Sequence, residues 1–314
     1  MVREYALDPL VVATADRILG GRLRSGFKMG QGRIMARYPK KWRRLVWDAF
    51  NAFTDASDMD RTRLEVLINE LFEFTASRGE VCWDPAAASW LDNAIVEHQR
   101  LPFHAIIAGS DPGKNPNILT ADAVLEGSAS LWAARNSCMV ERTAGPLADA
   151  IAPLLKKCSD LVFVDPHFGP EKPRYRRPLE SFLEHVRERP GAPPKRVEIL
   201  TSASKTGTRS FFEAECRNRL SSCVPRGMQI VLRRLVEKHD GEGLHHRYVL
   251  TEFGGVGFRW GLDDGKPSHT EELTLLERHV YVERWRQYHA TNGGPPPAFD
   301  QEGQEIVVVG SRRQ

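Results

Sequence analysis

The 314-residue sequence has no run approaching 18 consecutive apolar residues, so no segment is expected to cross a bilayer as a helix. The first residues, Met1 to Asp8, carry Arg3, Glu4 and Asp8 and lack the apolar stretch of a secretory leader, which leads to the expectation of a cytoplasmic protein. Cysteine is scarce: Cys82, Cys138, Cys158, Cys216 and Cys223 are odd in number and contain no Cys-x-x-Cys spacing. That pattern fits neither a disulfide framework nor a zinc knuckle, and buried or incidental thiols are expected. His269, His279 and His289 stand at an interval that matches no metal-ligand spacing. With no internal repeat and no cofactor motif, no metal and no cofactor are expected.

Acidic residues are missing from one window in particular. Between Arg17 and Trp47 the chain has ten Lys or Arg and no Asp or Glu, although the net charge of the whole is only +3. Lys40, Lys41, Arg43 and Arg44 are the densest part. A cationic stretch without acids points to a polyanionic partner, nucleic acid first among them. The same stretch as a plain solvated face is the ordinary alternative.

What is present is a soluble, globular composition, 41% hydrophobic and 27% charged, with two textures. Up to about residue 145 helical spacing dominates: Asp8-Pro9 reads as a helix start ended by Gly20-Gly21, and Pro39 opens a helix with Trp42, Val46, Phe50 and Phe53 on one face. Asp60 and Asp84-Pro85 head two more helices. Only Phe103 to Ala108 reads as a strand there. The loop Gly109 to Lys114 after it has the wrong glycine spacing for a phosphate loop and reads as a turn.

From about Pro146 the pattern is α/β. Strands are expected at Leu161–Val164, Val197–Thr201, Met228–Leu232, Leu244–Thr251, Phe258–Leu262 and Glu305–Val309, with helices between the first three and a turn at Pro190 to Pro194. The division expected is a mostly helical region over 1–145 and an α/β domain over 146–314. Asp165 and His167 follow the first of these strands, where ligands of open α/β sheets sit, and are candidate substrate contacts.

The chemistry-bearing pattern is His245-x-Arg247-x4-Glu252. On a strand, residues two apart share a face, so His245 and Arg247 can address one phosphate together. An imidazole is a nucleophile or proton carrier near neutral pH, and a guanidinium presents a planar fork to phosphate oxygens. Glu252 falls on the opposite face of a straight strand, and the glycines beyond it are expected to supply a bend. Arg259 completes the candidate set.

This stretch resembles the phospholipase D superfamily, whose members carry His-x-Lys-x4-Asp on a strand and form a phosphohistidine. It is similar also to the phospholipase D-like C-terminal domain of the MIT-domain cytokinesis proteins, through Gly261-Leu262-Asp263 and through Val164-Asp-Pro-His-Phe168. The resemblance covers about half the chain. It implies a phospholipase D-like α/β domain with His245, Arg247 and Glu252 as catalytic residues. This chain has Arg247 for lysine and Glu252 for aspartate, lacks the Gly-Ser-x-Asn of catalytic members, and has one motif where the chemistry uses two histidines, so a homodimer would have to supply the second. The expected function is a phosphate-recognising, nucleic-acid-binding protein of a bacterial defence or mobile-element system. A dimeric, metal-independent phosphodiesterase or nuclease is the alternative from another class, and an anionic-lipid-binding module follows from the cytokinesis-protein resemblance. Whether the site turns over is left open at this stage.

Overall fold

Runs such as Ala105-Ile-Ile-Ala108 and Leu161-Val-Phe-Val164 are buried along their whole length, the pattern of sheet strands covered on both faces. They organise an α/β protein in two units, Val2–Arg135 and Asn136–Gln314. The computed structural model describes residues 1–53, 55–133, 135–189, 193–290 and 292–313.

The N-terminal unit contains β1 (Arg3–Leu7), α1 (Pro9–Ala13), α2 (Arg17–Gly26), β2 (Arg33–Ala36), α3 (Trp42–Asn51), α4 (Asp58–Glu73), β3 (Thr75–Ala76), α5 (Trp90–Arg100), β4 (Ala105–Ala108), β5 (Ile118–Thr120) and α6 (Ala121–Glu126). Helices do outweigh strands in it, but five parallel strands in the order β3-β2-β1-β4-β5 run between them. Four of these strands escape a pattern reading because they are two to five residues long, too short for periodicity to register. β1 also carries a buried charge: Glu4 meets the fully buried Arg78 guanidinium at 2.6 Å. Asp8 caps α1 as expected, accepting the N–H of Leu10 at 2.9 Å. Gly20-Gly21 does not end a helix. Asp16 accepts the N–H of Leu19 at 2.7 Å and starts α2, which runs through both glycines to Gly26. The core packs Trp42, Val46, Leu64, Ile68 and Leu71 onto the sheet residues Tyr5, Leu7, Met35 and Ile107.

The C-terminal unit contains β6 (Ser137–Glu141), α7 (Ala144–Leu155), β7 (Asp160–Val164), α8 (Pro173–Arg187), β8 (Arg196–Ser202), α9 (Arg209–Arg219), β9 (Gln229–Glu237), β10 (Tyr248–Thr251), β11 (Gly254–Phe258), β12 (Thr270–Leu275), α10 (Arg278–Tyr288), β13 (Phe299–Gln301) and β14 (Ile306–Val309). The sheet order is β13-β9-β8-β7-β10-β11-β12-β6, with β14 also on β9. β7, β8 and β9 are parallel and linked through α8 and α9, whereas β10, β11, β12 and β6 continue the sheet antiparallel. The unit begins before residue 146 because β6 pairs with β12. Of the turn expected at Pro190 to Pro194, residues 190–192 lie outside the described residues.

Two expected strands shift. β10 starts at Tyr248, leaving His245 and Arg247 in the segment leading into it, and β11 is Gly254–Phe258, so the glycines lie in the strand rather than before it. Gly255 fits there because Leu250 and Leu276 side-chain atoms would stand within 2.9 Å of any Cβ. Phe163 of β7 and Phe258 of β11 both pack on Phe182 of α8, at 5.5 and 6.3 Å between ring centres, which fixes the face covered by that helix.

Candidate phosphate-binding site

The last β7–β10 pair is Val164 with Tyr248. One step further the register sets Asp165 opposite Arg247, so the carboxyl end of β7 and the lead-in to β10 meet at one corner of the sheet. Phe258 secures the far side of Arg247, its N–H donating to the Arg247 carbonyl at 3.0 Å.

Asp165 does not face solvent as a substrate contact would. It is 1% exposed, and its two carboxylate oxygens accept the backbone N–H groups of His167 and Leu262, both at 2.9 Å. Burial pushes its carboxyl above the usual range, opposed by those two amides and by the charge of Arg247. The sequence expectation for Asp165 is therefore corrected. It holds the Gly261-Leu262-Asp263 turn against the end of β7, and Gly261 adopts φ 145° to make that approach. Asp263 is itself fixed by ion pairs to Arg142 and Arg174, and the buried Glu271 of β12 lies 3.6 Å from Arg142.

Arg247 is half-buried. Its Nη1 donates to the His245 carbonyl at 3.2 Å, its Nε is buried without a hydrogen-bond partner, and among the described residues no carboxylate lies within 4.0 Å of it. Lys205, in the loop between β8 and α9, donates from Nζ to the Leu244 carbonyl at 3.1 Å and stands 3.4 Å from Nδ1 of the exposed His245. That loop is held from below by the buried Arg234, whose guanidinium takes the carbonyls of Ala203, Thr206 and Gly207. His167 belongs to the same neighbourhood. Burial lowers its pKa, and the charges of Arg247, Lys205 and Lys172 push in the same direction against Asp165. The site thus gathers Arg247, Lys205, His167 and His245 above Asp165, whose carboxylate already serves two amides, while Lys172 nearby is paired with Glu171 at 3.1 Å.

Glu252 lies elsewhere. Its carboxylate accepts the N–H groups of Ser159 at 2.5 Å and Asp160 at 3.2 Å, at the amino end of β7. β10 runs from Tyr248 to Thr251, so Glu252 is five residues from Arg247, about 16 Å along an extended chain. The chain does turn there, at Glu252-Phe253 between the antiparallel β10 and β11, but the turn leaves Glu252 at the end of β10 away from Arg247, and Glu252 is corrected from a catalytic candidate to a cap on two part-buried amides. Arg259 is exposed and pairs with Glu272 at 3.2 Å. Lys205 is the residue the pattern reading missed. Its signal is the small polar run Ser202-Ala-Ser-Lys-Thr-Gly-Thr208 between a parallel strand and a helix.

The N-terminal basic window divides among several roles. Arg22 donates to the Val124 carbonyl at 3.3 Å, and Arg33 donates to carbonyls of Trp132 and Gly26. Arg43 reaches Asn69, Arg44 pairs with Asp48 at 3.4 Å, and Lys40 and Lys41 are exposed in the turn after β2. The ladder order of this unit reverses between β1 and β4, the usual ligand crevice of such sheets. Its aspartates are engaged locally: Asp8 caps α1, and Asp111 accepts the N–H of Asn115 at 3.0 Å. Among the described residues no group of three or more His, Cys, Asp or Glu side chains is placed to hold a metal ion, and no helix is long and apolar enough to cross a membrane.

No protein-family model matches this chain, and no curated protein or solved structure is significantly similar to it.

Proposed function

We propose that the C-terminal unit binds the phosphodiester backbone of a nucleic acid at the corner formed by Lys205, His245, Arg247 and His167, and that it binds without cleaving. The observation that carries the reading is Arg247: its backbone is held by Phe258 and its Nη1 by the His245 carbonyl, and among the described residues its Nε has no hydrogen-bond partner and no carboxylate lies in ion-pair range. An arginine fork left open beside a lysine suits a phosphate oxygen pair. Exposed Lys40 and Lys41 give the N-terminal unit a non-specific attraction for polyanions of its own. The βαβαβ run from β7 to β9, with His-x-Arg leading into the neighbouring antiparallel strand, supports reading the unit as phospholipase D-like. The distant position of Glu252 argues against the full catalytic set. Binding by the full chain to a labelled single-stranded oligonucleotide tests it. Arg247→Ala and Lys205→Ala should each weaken affinity roughly tenfold, as loss of a charged hydrogen bond does. Unchanged affinity in both would overturn the reading.

One observation favours the phosphodiesterase reading: His167 and His245 both neighbour cations of the same corner, so one chain offers two histidines without a dimer. Cleavage in chelator that is abolished by His245→Ala would establish it.

A further inference from the structure

Trp260 is 60% exposed, and the structure fixes its backbone with unusual thoroughness. On one side Phe258 donates its N–H to the Arg247 carbonyl at 3.0 Å; on the other Leu262 donates to Asp165 at 2.9 Å. Between these two anchors the N–H groups of Arg259 and Trp260 both point at the fully buried carboxylate of Glu271, at 2.6 and 3.0 Å. Burying a carboxylate is costly unless hydrogen bonds and a counter-charge compensate. Here they do, with Arg142 as the counter-charge. The result is a turn tied to Arg247 and Asp165 whose indole is nonetheless left in solvent. Trp260 lies two residues past the end of β11, just beyond the Phe258–Arg247 bond that closes the ladder. The Arg259 guanidinium lies 5.9 Å from the indole centre.

An exposed indole on a turn whose backbone is tied to the Arg247 segment, with Arg259 beside its ring, has the make-up of a single-strand site, in which cations track phosphates and an aromatic face stacks a base. We infer that Trp260 is the stacking platform for an unpaired base of the strand whose phosphate sits at Arg247 and Lys205, so the ligand of this corner is single-stranded nucleic acid. The inference rests on the phosphate-binding reading above and deepens it. A duplex keeps its bases stacked inside and offers the indole nothing, so duplex affinity does not depend on Trp260. The charge of the corner favours this partner over an uncharged protein surface. An anionic membrane surface is the competing occupant that the test must separate.

The test uses the full chain, wild type, Trp260→Ala and Trp260→Phe, with three probes: a single-stranded oligothymidylate of about twenty nucleotides, an abasic phosphodiester of the same length, and a duplex. Trp260→Ala should weaken oligothymidylate binding about tenfold, within the range of one stacked base, with Trp260→Phe between it and wild type. The abasic strand and the duplex should bind all three proteins alike. Equal loss on the abasic strand, or no loss on oligothymidylate, overturns the inference while leaving phosphate binding intact, because Arg247→Ala still weakens every probe. If the wild type binds none of the probes, the phosphate reading fails and this one with it. Vesicles containing phosphatidylserine form the last arm. Trp260-dependent vesicle binding with a blue-shifted indole emission, and no dependence on bases, would assign the platform to lipid and overturn the inference.

Discussion

Oδ2 of Asp165 accepts the N–H of Leu262 across 97 residues of sequence, at 2.9 Å. That single bond joins the end of β7 to the turn carrying Trp260, and Oδ1 holds the His167 N–H at the same distance. An amide in place of the carboxylate has one oxygen where two are needed. Asp165→Asn therefore leaves one buried N–H facing another donor, at a cost of about 1 to 3 kcal/mol. Hydrogen exchange should locate the damage, with faster exchange at Leu262 or His167 and little change in β10.

Glu252 supplies the complementary case. Glu252→Ala removes the acceptor of two backbone N–H groups at the start of β7, and should cost about 2 kcal/mol in urea denaturation. It should leave oligonucleotide affinity unchanged. Lost affinity without lost stability would return Glu252 to the binding site.

The N-terminal unit has its own acid limb. Burial first, then the charge of Arg3, lowers the pKa of His104 from 6.5 to about 4, and its Nε2 contacts Nη1 of Arg3 at 2.9 Å. A neutral ring accepts that donor; a protonated ring cannot. The unfolded chain takes up the proton near the ordinary value of 6.5 and the folded one near 4, so stability falls as pH falls between them, by up to about 3 kcal/mol. His104→Gln keeps an acceptor and cannot titrate. Protection of β1 and β4 amides should drop between pH 6.5 and 4 in wild type and hold steadier in the variant.

The salt dependence of single-strand binding measures how many cations engage. If Arg247 and Lys205 each neutralise one phosphate, the log-log slope is about −1.4 from this corner alone. Arg247→Ala should make the slope shallower by about 0.7, while Glu252→Ala should not alter it.

How far the sequence carried these conclusions depended on element length and on neighbours distant in the chain. Leu161–Val164 was legible because four consecutive apolar residues declare a buried strand, and Val197–Thr201 because β-branched Val, Ile and Thr follow a Pro-rich turn. β1, β2 and β3 were not: they are short, and Glu4 is buried only because Arg78 arrives from 74 residues away. The pairing of His245 and Arg247 was readable from their spacing, and so was the position of His167 after a strand. Lys205 was not, because its approach to His245 depends on β8 lying beside β7. The role of Glu252 could not be read either, since nothing local announces that the β10–β11 turn delivers its carboxylate to Ser159 and Asp160. The exposed indole of Trp260 is a property of the Glu271 cap, which comes from the next strand.

The most direct test follows the Nε–H resonance of Arg247 by 15N NMR, assigned by its disappearance in Arg247→Lys, as a single-stranded oligonucleotide is added to the full chain. The account predicts a saturable shift of that resonance as a phosphate oxygen engages the Nη groups of the same guanidinium, with Lys205→Ala weakening the midpoint. A resonance that stays in place while the protein is saturated with oligonucleotide would contradict it.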